Sequence, residues 1–259
     1  MHDDLPQSPT LIRSCDVRGL LHSHTRYADG AHSLRRMVET ARDLGLEYLG
    51  VSDHLRSSRH PEGMNADEER EQRLEIAELQ REFPDFQVLH GMEADADDDG
   101  DVDLPDGVRD HLDYLMVAMP GPNGHDREDY TESVLRLIRN PLVDIVSRPL
   151  GSYMLTRPPV PLDMMRVLKA AADTGTVIEL DANPAVSDLD ATHCRLAADL
   201  GVTLAINPNA HRAARLVDYR QGVAIARDMG LSCRQFVNTL TAAELRARFA
   251  RGGNGNGAR

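Results

Sequence analysis

Short apolar segments alternate with amphipathic segments along most of this chain of 259 residues. Seven of the apolar segments have the length and the residue types of buried β-strands. They are GLLHS, YLGVS, FQVLHG, YLMVA, VDIVS, TVIEL and VTLAI. Strands that alternate with helices pair in parallel through right-handed crossovers, so the pattern predicts either a closed barrel or an open, doubly wound α/β sheet.

Capping signals place three of the intervening helices. Apolar residues recur at helical spacing after Ser33 and stop at Gly45, so Ser33 is the expected N-cap and Gly45 ends the helix. A second helix, DEEREQRLEIAELQREF, is expected to end before Pro84. A third, PLDMMRVLKAAADTG, is expected to run from Pro161 to Gly175.

One domain accounts for the whole pattern, because a chain of this length can bury a single large core. We expect a barrel domain over residues 16–250, an extended lead-in over 1–15 and a flexible tail over 251–259. The sequence has no apolar run long enough to cross a membrane and no secretory signal pattern at its start. A cytoplasmic protein without a membrane partner is therefore expected.

Polar residues with useful chemistry are concentrated where the predicted strands end. The positions are His22 and His24, Asp53 and His54, Glu93, Arg148, Glu179 and Asn183, and Asn209 and His211, while the apolar Pro120 follows the fourth strand. The carboxyl ends of parallel strands meet at one mouth of an α/β fold, which is where active sites form. The pattern therefore predicts that residues from distant parts of the chain form one polar ring.

Histidines and carboxylates in that ring indicate a metal site. His22 and His24 are two residues apart, so both imidazoles lie on one side of an extended segment. Further candidate ligands are Asp29, His54, Glu93 and His211. A mixture of nitrogen and carboxylate ligands favours zinc, manganese or iron over magnesium or calcium. The formal net charge of −13 repels polyanions, so a phosphorylated substrate needs a local cationic centre such as bound metal.

Several motifs together resemble one known family. The segments LLHSHTRYADG, VSDH, LHGME, SRPLG, IELDANP and NPNAH are similar, in order and spacing, to motifs of the PHP (polymerase and histidinol phosphatase) domain. The similarity is closest to the PHP domain at the C-terminal end of bacterial family X DNA polymerases. It implies a distorted (β/α)7 barrel with a trinuclear metal centre that hydrolyses phosphoesters, including 3′ ends of DNA.

The resemblance also implies a ligand set. The first metal position corresponds to His22, His24, Glu93 and, in place of the family's aspartate, Asn209. The third position corresponds to Asp29, His54 and His211. The second position shares Glu93, but its two histidines are replaced by Pro120 and Arg148.

These replacements are expected to reduce the metal centre to one or two divalent ions. Pro120 has no side-chain donor, Arg148 stays protonated, and Asn209 offers only a neutral, weaker oxygen ligand. Arg148 has two interpretations: it pairs with Glu93 in place of the missing cation, or it also clamps a phosphate oxygen. The first is favoured, because an unpaired buried glutamate is costly.

Other polar residues have less specific roles. Asp53 is expected to assist catalysis by orienting a neighbouring ligand, and a helix cap is the open alternative. Arg212 is a candidate phosphate contact, although an exposed helix start explains it equally well. The stretch ADADDDGDVDLPD imitates a calcium loop but follows a strand-like segment, so a solvated acidic turn is expected. The remaining histidines without evident partners, expected on the surface or in packing roles, are His60, His90, His125 and His193.

Two functions remain open at this point. The first is a metal-dependent phosphoesterase with a reduced metal centre, acting on a phosphorylated small molecule or a nucleic-acid 3′ end. The second is a catalytically inactive PHP-like binding or structural module. The 259 residues have room for the PHP part alone, so any DNA polymerase partner is expected to be a separate chain.

Overall fold

The computed structural model describes residues 10–119, 126–150, 162–184, 189 and 191–252. Seven parallel strands form one sheet, and their spatial order equals their order in the chain. The strands are β1 (Gly19–Leu20), β2 (Tyr48–Val51), β3 (Gln87–Asp95), β4 (Tyr114–Ala118), β5 (Ile145–Ser147), β6 (Val177–Asp181) and β7 (Leu204–Asn207). Sequential parallel pairing is the topology of a barrel and excludes the doubly wound alternative, in which the strand order reverses.

Side chains and a single bridge close the barrel between its first and last strands. Just beyond β1 and β7, Ser23 pairs in parallel with Ala210, and the His24 N–H donates to the Ala210 carbonyl at 3.0 Å. Between β1 and β7 themselves, the Asn238 amide donates to the carbonyls of Gly19 and Ile206, each at 3.0 Å. The seven-stranded barrel predicted from the sequence is therefore confirmed, and its closure brings the residues after β1 against those after β7.

Within the described ranges, seven helices flank the barrel. They are α1 (Leu34–Asp43), α2 (Ala66–Glu82), α3 (Arg127–Arg139), α4 (Met164–Thr174), α5 (Ala191–Asp199), α6 (Tyr219–Asp228) and α7 (Ala242–Gly252). The Ser33 side chain caps α1 by accepting from the Arg36 N–H, as predicted. Helix α4 begins later than expected, because the Asp163 side chain accepts from the Arg166 N–H and so acts as its N-cap. Pro161, its predicted start, lies outside the described residues.

Apolar side chains fill the barrel below its mouth. The Tyr114 phenol crosses the interior and donates to the carbonyls of Leu21 at 2.6 Å and Val51 at 3.1 Å. A Cβ at Gly91 would lie 2.1 Å from the Tyr114 ring, so only glycine leaves room for it. Helix α7 covers the opposite end with Leu245 and Phe249. Because the interior is packed, the carboxyl ends of the strands are left as the place for polar chemistry.

The predicted terminal segments are described only in part. Leu11 forms an antiparallel bridge with Ser232, Ile12 is buried, and a short 3-10 helix follows at Ser14–Asp16. Residues 1–9 and 253–259 lie outside the described residues. Within the described part of the chain, no helix combines the length and the apolar character needed to span a membrane.

Candidate metal centre

Three buried side chains form what we call the inner cluster: His22, His24 and Glu93. Each offers a ligand atom within 4.8 Å of the others. The Nε2 atoms of His22 and His24 lie 3.2 Å and 3.5 Å from Glu93 Oε2. Glu93 was expected after the third strand, but it lies inside β3, which continues to Asp95. A carboxylate inside the barrel thus meets two imidazoles delivered by the segment after β1.

Four side chains form what we call the outer cluster: His24, Asp29, His54 and His211, whose ligand atoms also lie within 4.8 Å of one another. His211 Nε2 is 3.0 Å from Asp29 Oδ2, and His24 Nδ1 is 3.7 Å from Asp29 Oδ1. The side chains of Asp29 and His211 are 29% and 33% exposed. The outer cluster therefore opens to solvent, and buried His24 is common to both clusters.

A buried hydrogen-bond network orients His22 through its Nδ1 atom. Glu179 Oε1 lies 2.7 Å from His22 Nδ1 and accepts from the Asn207 amide at 2.9 Å, while Ser147 donates to Oε2 at 2.6 Å. A carboxylate only accepts, so Nδ1 carries a proton and Nε2 points at the cluster. Burial opposes the charged ring, but Glu179 and Glu93 outweigh it and raise the pKa of His22 to about 10. The charged ring carries a proton on each nitrogen, so ligation through Nε2 would require the Nε2 proton to leave while the Nδ1 proton stays on the Glu179 side.

His24 has the properties expected of a metal-binding imidazole. Both ring nitrogens are buried and have no hydrogen-bond partner among the described residues. Burial and the neighbouring imidazoles His54 and His211 hold its pKa well below the ordinary value, so the ring is neutral and can ligate. Burying two polar atoms without partners is costly, and a cation removes that cost. The residues present therefore fit a divalent ion.

Arg148 compensates the charge of Glu93. Its Nη2 lies 3.2 Å from Glu93 Oε1, opposite the histidine side of the carboxylate. Burial raises the pKa of Glu93, but His22, His54 and Arg148 outweigh that effect and keep it well below its usual range. Arg148 has a left-handed backbone, with φ of 50°, which a residue of this kind rarely adopts. The pairing of Arg148 with Glu93 is the first of the two interpretations made from the sequence.

Asn209 lies two residues beyond the end of β7 and is also left-handed, with φ of 46°. Its amide donates to Asp181 Oδ2 at 3.3 Å, while its Oδ1 is buried and has no partner in the described part of the chain. An unpartnered carbonyl oxygen is a suitable weak ligand for a divalent ion. Burial, with Glu179 next, raises the pKa of Asp181 to about 6.

Asp53 holds the loop that follows β1. It accepts from the N–H and hydroxyl of Thr25, at 2.5 Å and 2.6 Å, and from the Gln72 amide at 2.5 Å. Burial is the main cause that raises its pKa to about 6. Because Thr25 directly follows His24, these bonds secure the segment that carries the histidines, and Gln72 ties it to α2.

The remaining predicted residues are placed less centrally. Arg212 is exposed and directly follows His211. Pro120 lies outside the described residues, as does His125. Asp97 accepts from the N–H groups of Asp99 and Asp101, so the calcium-like stretch forms a closed acidic turn.

Sequence reasoning missed the roles of two residues that support the clusters. Glu179, expected to follow the sixth strand, lies inside β6 and grips His22. His60, expected to lack a partner, pairs with Asp95 at 2.9 Å and stacks on His54. The one available signal was position: Glu179 precedes the end of β6 by two residues, so it shares a face with Asp181.

Comparison with known proteins agrees with this geometry. The family model of the PHP domain matches residues 21–181. The chain belongs to the PHP domain family. It is 31% identical to the DNA polymerase/3′-5′ exonuclease PolX of Bacillus subtilis over 241 residues, which covers 93% of this chain and 42% of that protein. The family resemblance read from the sequence is thereby confirmed.

Two further comparisons concern proteins of similar length to this PHP domain. A probable phosphatase of Thermoanaerobacter sp. (strain X514) is 24% identical, covering 85% of this chain and 90% of that protein. A histidinol phosphate phosphatase from Lactococcus lactis, solved with zinc, L-histidinol and phosphate, superposes with a TM-score of 0.62 at 15% identity. That match covers 83% of this chain and 94% of the other, and it supports the barrel fold.

Proposed function

We propose that this PHP domain is a metal-dependent phosphoesterase that holds one or two divalent ions at the mouth of its barrel. The observation that carries the proposal is His24, whose two unpartnered nitrogens face a carboxylate of each cluster: Nδ1 towards Asp29 and Nε2 towards Glu93. Buried imidazoles and carboxylates without internal partners are typical of metal sites. The phosphatases among the relatives support the same chemistry.

The inner cluster would hold one ion through His22, His24 and Glu93, with Asn209 as a weak additional ligand. The outer cluster would hold a second through Asp29, His54 and His211. Nitrogen and carboxylate ligands together suit zinc, manganese or iron. The chemistry that such ions supply is neutralisation of charge on phosphoryl oxygens and a lower pKa for a nucleophilic water.

Two arginines would contact the substrate, and an aspartate would act indirectly. Arg148 neutralises Glu93 and has a forked set of N–H donors, which match a phosphoryl oxygen well. Arg212 is exposed beside His211 and would meet a phosphate that reaches the outer cluster. Asp53 would assist catalysis indirectly, by fixing the loop that carries His24.

The substrate class we propose is a phosphorylated small molecule, with a nucleic-acid 3′ end as the second candidate. A formal net charge of −13 disfavours long polyanions and leaves small phosphomonoesters less affected. The similarity to the polymerase/exonuclease supports the second candidate, together with a DNA polymerase as partner.

Metal content and turnover test the proposal directly. Elemental analysis of the purified protein should find at least one zinc, manganese or iron ion, and hydrolysis of p-nitrophenyl phosphate or of 3′-labelled DNA should require Mn²⁺. His24→Ala should lose both metal and turnover, because His24 belongs to both clusters. His111→Ala, at an exposed histidine, is the matched control.

The opposite result would identify the inactive alternative. A protein that binds no metal and hydrolyses neither substrate would be a PHP-like binding or structural module. The observation that favours this alternative is the Arg148–Glu93 pair, since it places a protein cation where Glu93 Oε1 would otherwise be free to ligate.

A further inference from the structure

His60 lies outside both clusters but is in direct contact with one of their members. It belongs to the loop between β2 and α2, and its ring stacks on that of His54 with centroids 3.6 Å apart and planes inclined by 8°. The His54 ring is also stacked with His24, at 4.6 Å. Close stacking of this kind restricts the rotation of the His54 imidazole about its side-chain bonds.

His60 is itself held in place from the sheet. Its Nδ1 lies 2.9 Å from Oδ2 of Asp95, the last residue of β3. Ser57 donates to the same carboxylate oxygen at 2.7 Å, and the His60 N–H donates to the Ser57 hydroxyl at 3.1 Å. The His60 side chain is only 20% exposed. Strand β3 thus holds Asp95 in place, and Asp95 holds His60 through a hydrogen bond. The His60 ring in turn stacks on His54.

We propose that His60 is a positioning residue for the outer cluster: held by Asp95, it stacks on His54 and fixes that imidazole in the orientation that ligates. The inference rests on the proposed function in that the outer cluster binds an ion. A ligand whose orientation is set beforehand loses less freedom when the ion binds, and such supporting contacts commonly account for 10-fold or more in metal affinity.

The test is a Co²⁺ titration of the full chain, followed by the absorption of the bound ion and by the imidazole NMR signals of His54. His60→Ala removes the stack and should weaken binding at the outer cluster about 10-fold. His60→Phe keeps an aromatic ring on His54 but loses the bond to Asp95, so it should weaken binding by less than His60→Ala does. His111→Ala removes an exposed imidazole elsewhere and controls for nonspecific Co²⁺ binding.

Asp95→Asn provides a second variant that keeps both rings. It should move the His54 signals and weaken Co²⁺ binding less than His60→Ala, because only the anchor of the stack is altered. Wild-type affinity in His60→Ala, with Co²⁺ bound by the wild type, would overturn the inference while leaving the proposed function intact. Equal weakening by alanine and phenylalanine would overturn stacking as the means of positioning. Failure of the wild type to bind Co²⁺ would overturn both proposals.

Discussion

Nη2 of Arg148 lies 3.2 Å from one oxygen of Glu93, while the other oxygen of that carboxylate faces nitrogen atoms of His22, His24 and His54 at 3.2–3.5 Å. A permanent protein cation therefore neutralises one side of the buried carboxylate, and the histidine side is left for a metal ion. The same pair explains how the fold tolerates a buried glutamate before any ion binds.

Arg148→Met should destabilise the metal-free protein by about 3 kcal/mol, because it leaves Glu93 buried without its permanent cation. A divalent ion should restore part of that loss, since it supplies the missing positive charge. Urea denaturation with EDTA and with excess Mn²⁺ measures both effects.

A matched substitution at an exposed ion pair shows whether the stability cost of Arg148→Met comes from the buried charge of Glu93 or from the loss of an arginine side chain. Arg136 lies 3.5 Å from Asp101, and both side chains are more than half exposed. Arg136→Met should therefore cost less than about 1 kcal/mol and show no response to Mn²⁺. Equal costs for the two variants would show that Arg148 does not neutralise Glu93.

Glu179→Gln should weaken the binding of the inner ion by about 10- to 100-fold. The carboxylate accepts from His22, Ser147 and Asn207, and a neutral amide would hold the His22 Nδ1 proton less strongly. Competition with a chromogenic chelator measures the affinity.

The control for Glu179→Gln is Glu47→Gln, which alters an exposed ion pair with Arg18 and should leave the affinity unchanged. An unchanged affinity in Glu179→Gln itself would mean that Glu179 does not set the orientation of His22.

The α/β class could be predicted from the sequence because seven apolar runs alternate with helical patterns, while the choice of a barrel over an open sheet came from the resemblance to the PHP domain. His22, His24 and His54 were predictable for a related reason, since each lies at or just beyond the end of a predicted strand. Burial patterns repeat along neighbouring residues, so they remain visible without a structure.

The supporting residues were harder to predict. Glu93 lies inside β3, which continues beyond the predicted segment, and Glu179 lies inside β6 rather than after it, so the local pattern did not indicate which residues either carboxylate would contact. His60 lies in a loop with no periodicity, and its contacts with His54 and Asp95 depend on how that loop folds over β3. Contacts between residues far apart in sequence produce no periodic spacing that could be recognised in the sequence.

Asp16 should stabilise the protein in a pH-dependent way. Its carboxylate accepts from the N–H and side chain of Arg13, and the hydrogen bond to that guanidinium is the main cause that lowers the pKa of Asp16 to about 2 from an ordinary 3.8. A depressed pKa means that the stabilisation is complete above about pH 4 and is lost as the pH falls towards 2. Asp16→Asn should cost about 1 kcal/mol at pH 7, after allowance for solvent screening.

The measurement for Asp16 is urea denaturation of wild type and Asp16→Asn at several pH values between 7 and 3. The difference in unfolding free energy should shrink as the pH approaches 3. A difference that is constant over the range would attribute the effect to packing and not to the carboxylate charge. Asp67→Asn, at a mostly exposed pair with Arg70, serves as the reference substitution.

Asn209→Asp should make the protein depend on metal for its stability. The Asn209 amide donates to Asp181 at 3.3 Å, and the substitution replaces that donor with a second buried carboxylate. Two carboxylates so close cannot both ionise without a cation, so the metal-free variant should lose about 2 kcal/mol at pH 8 and regain it with Mn²⁺. Combined with Arg148→His and Pro120→His, it should also raise the number of ions bound and the rate of phosphoester hydrolysis.

Urea denaturation with and without Mn²⁺, together with elemental analysis, tests this restoration of ligands. Asn65→Asp is the control, because it makes the same change at the exposed N-cap of α2, where aspartate caps equally well. If Asn209→Asp is as stable as the wild type without metal, and the combined variant binds no additional ion, then position 209 does not face the inner cluster and cannot ligate its ion.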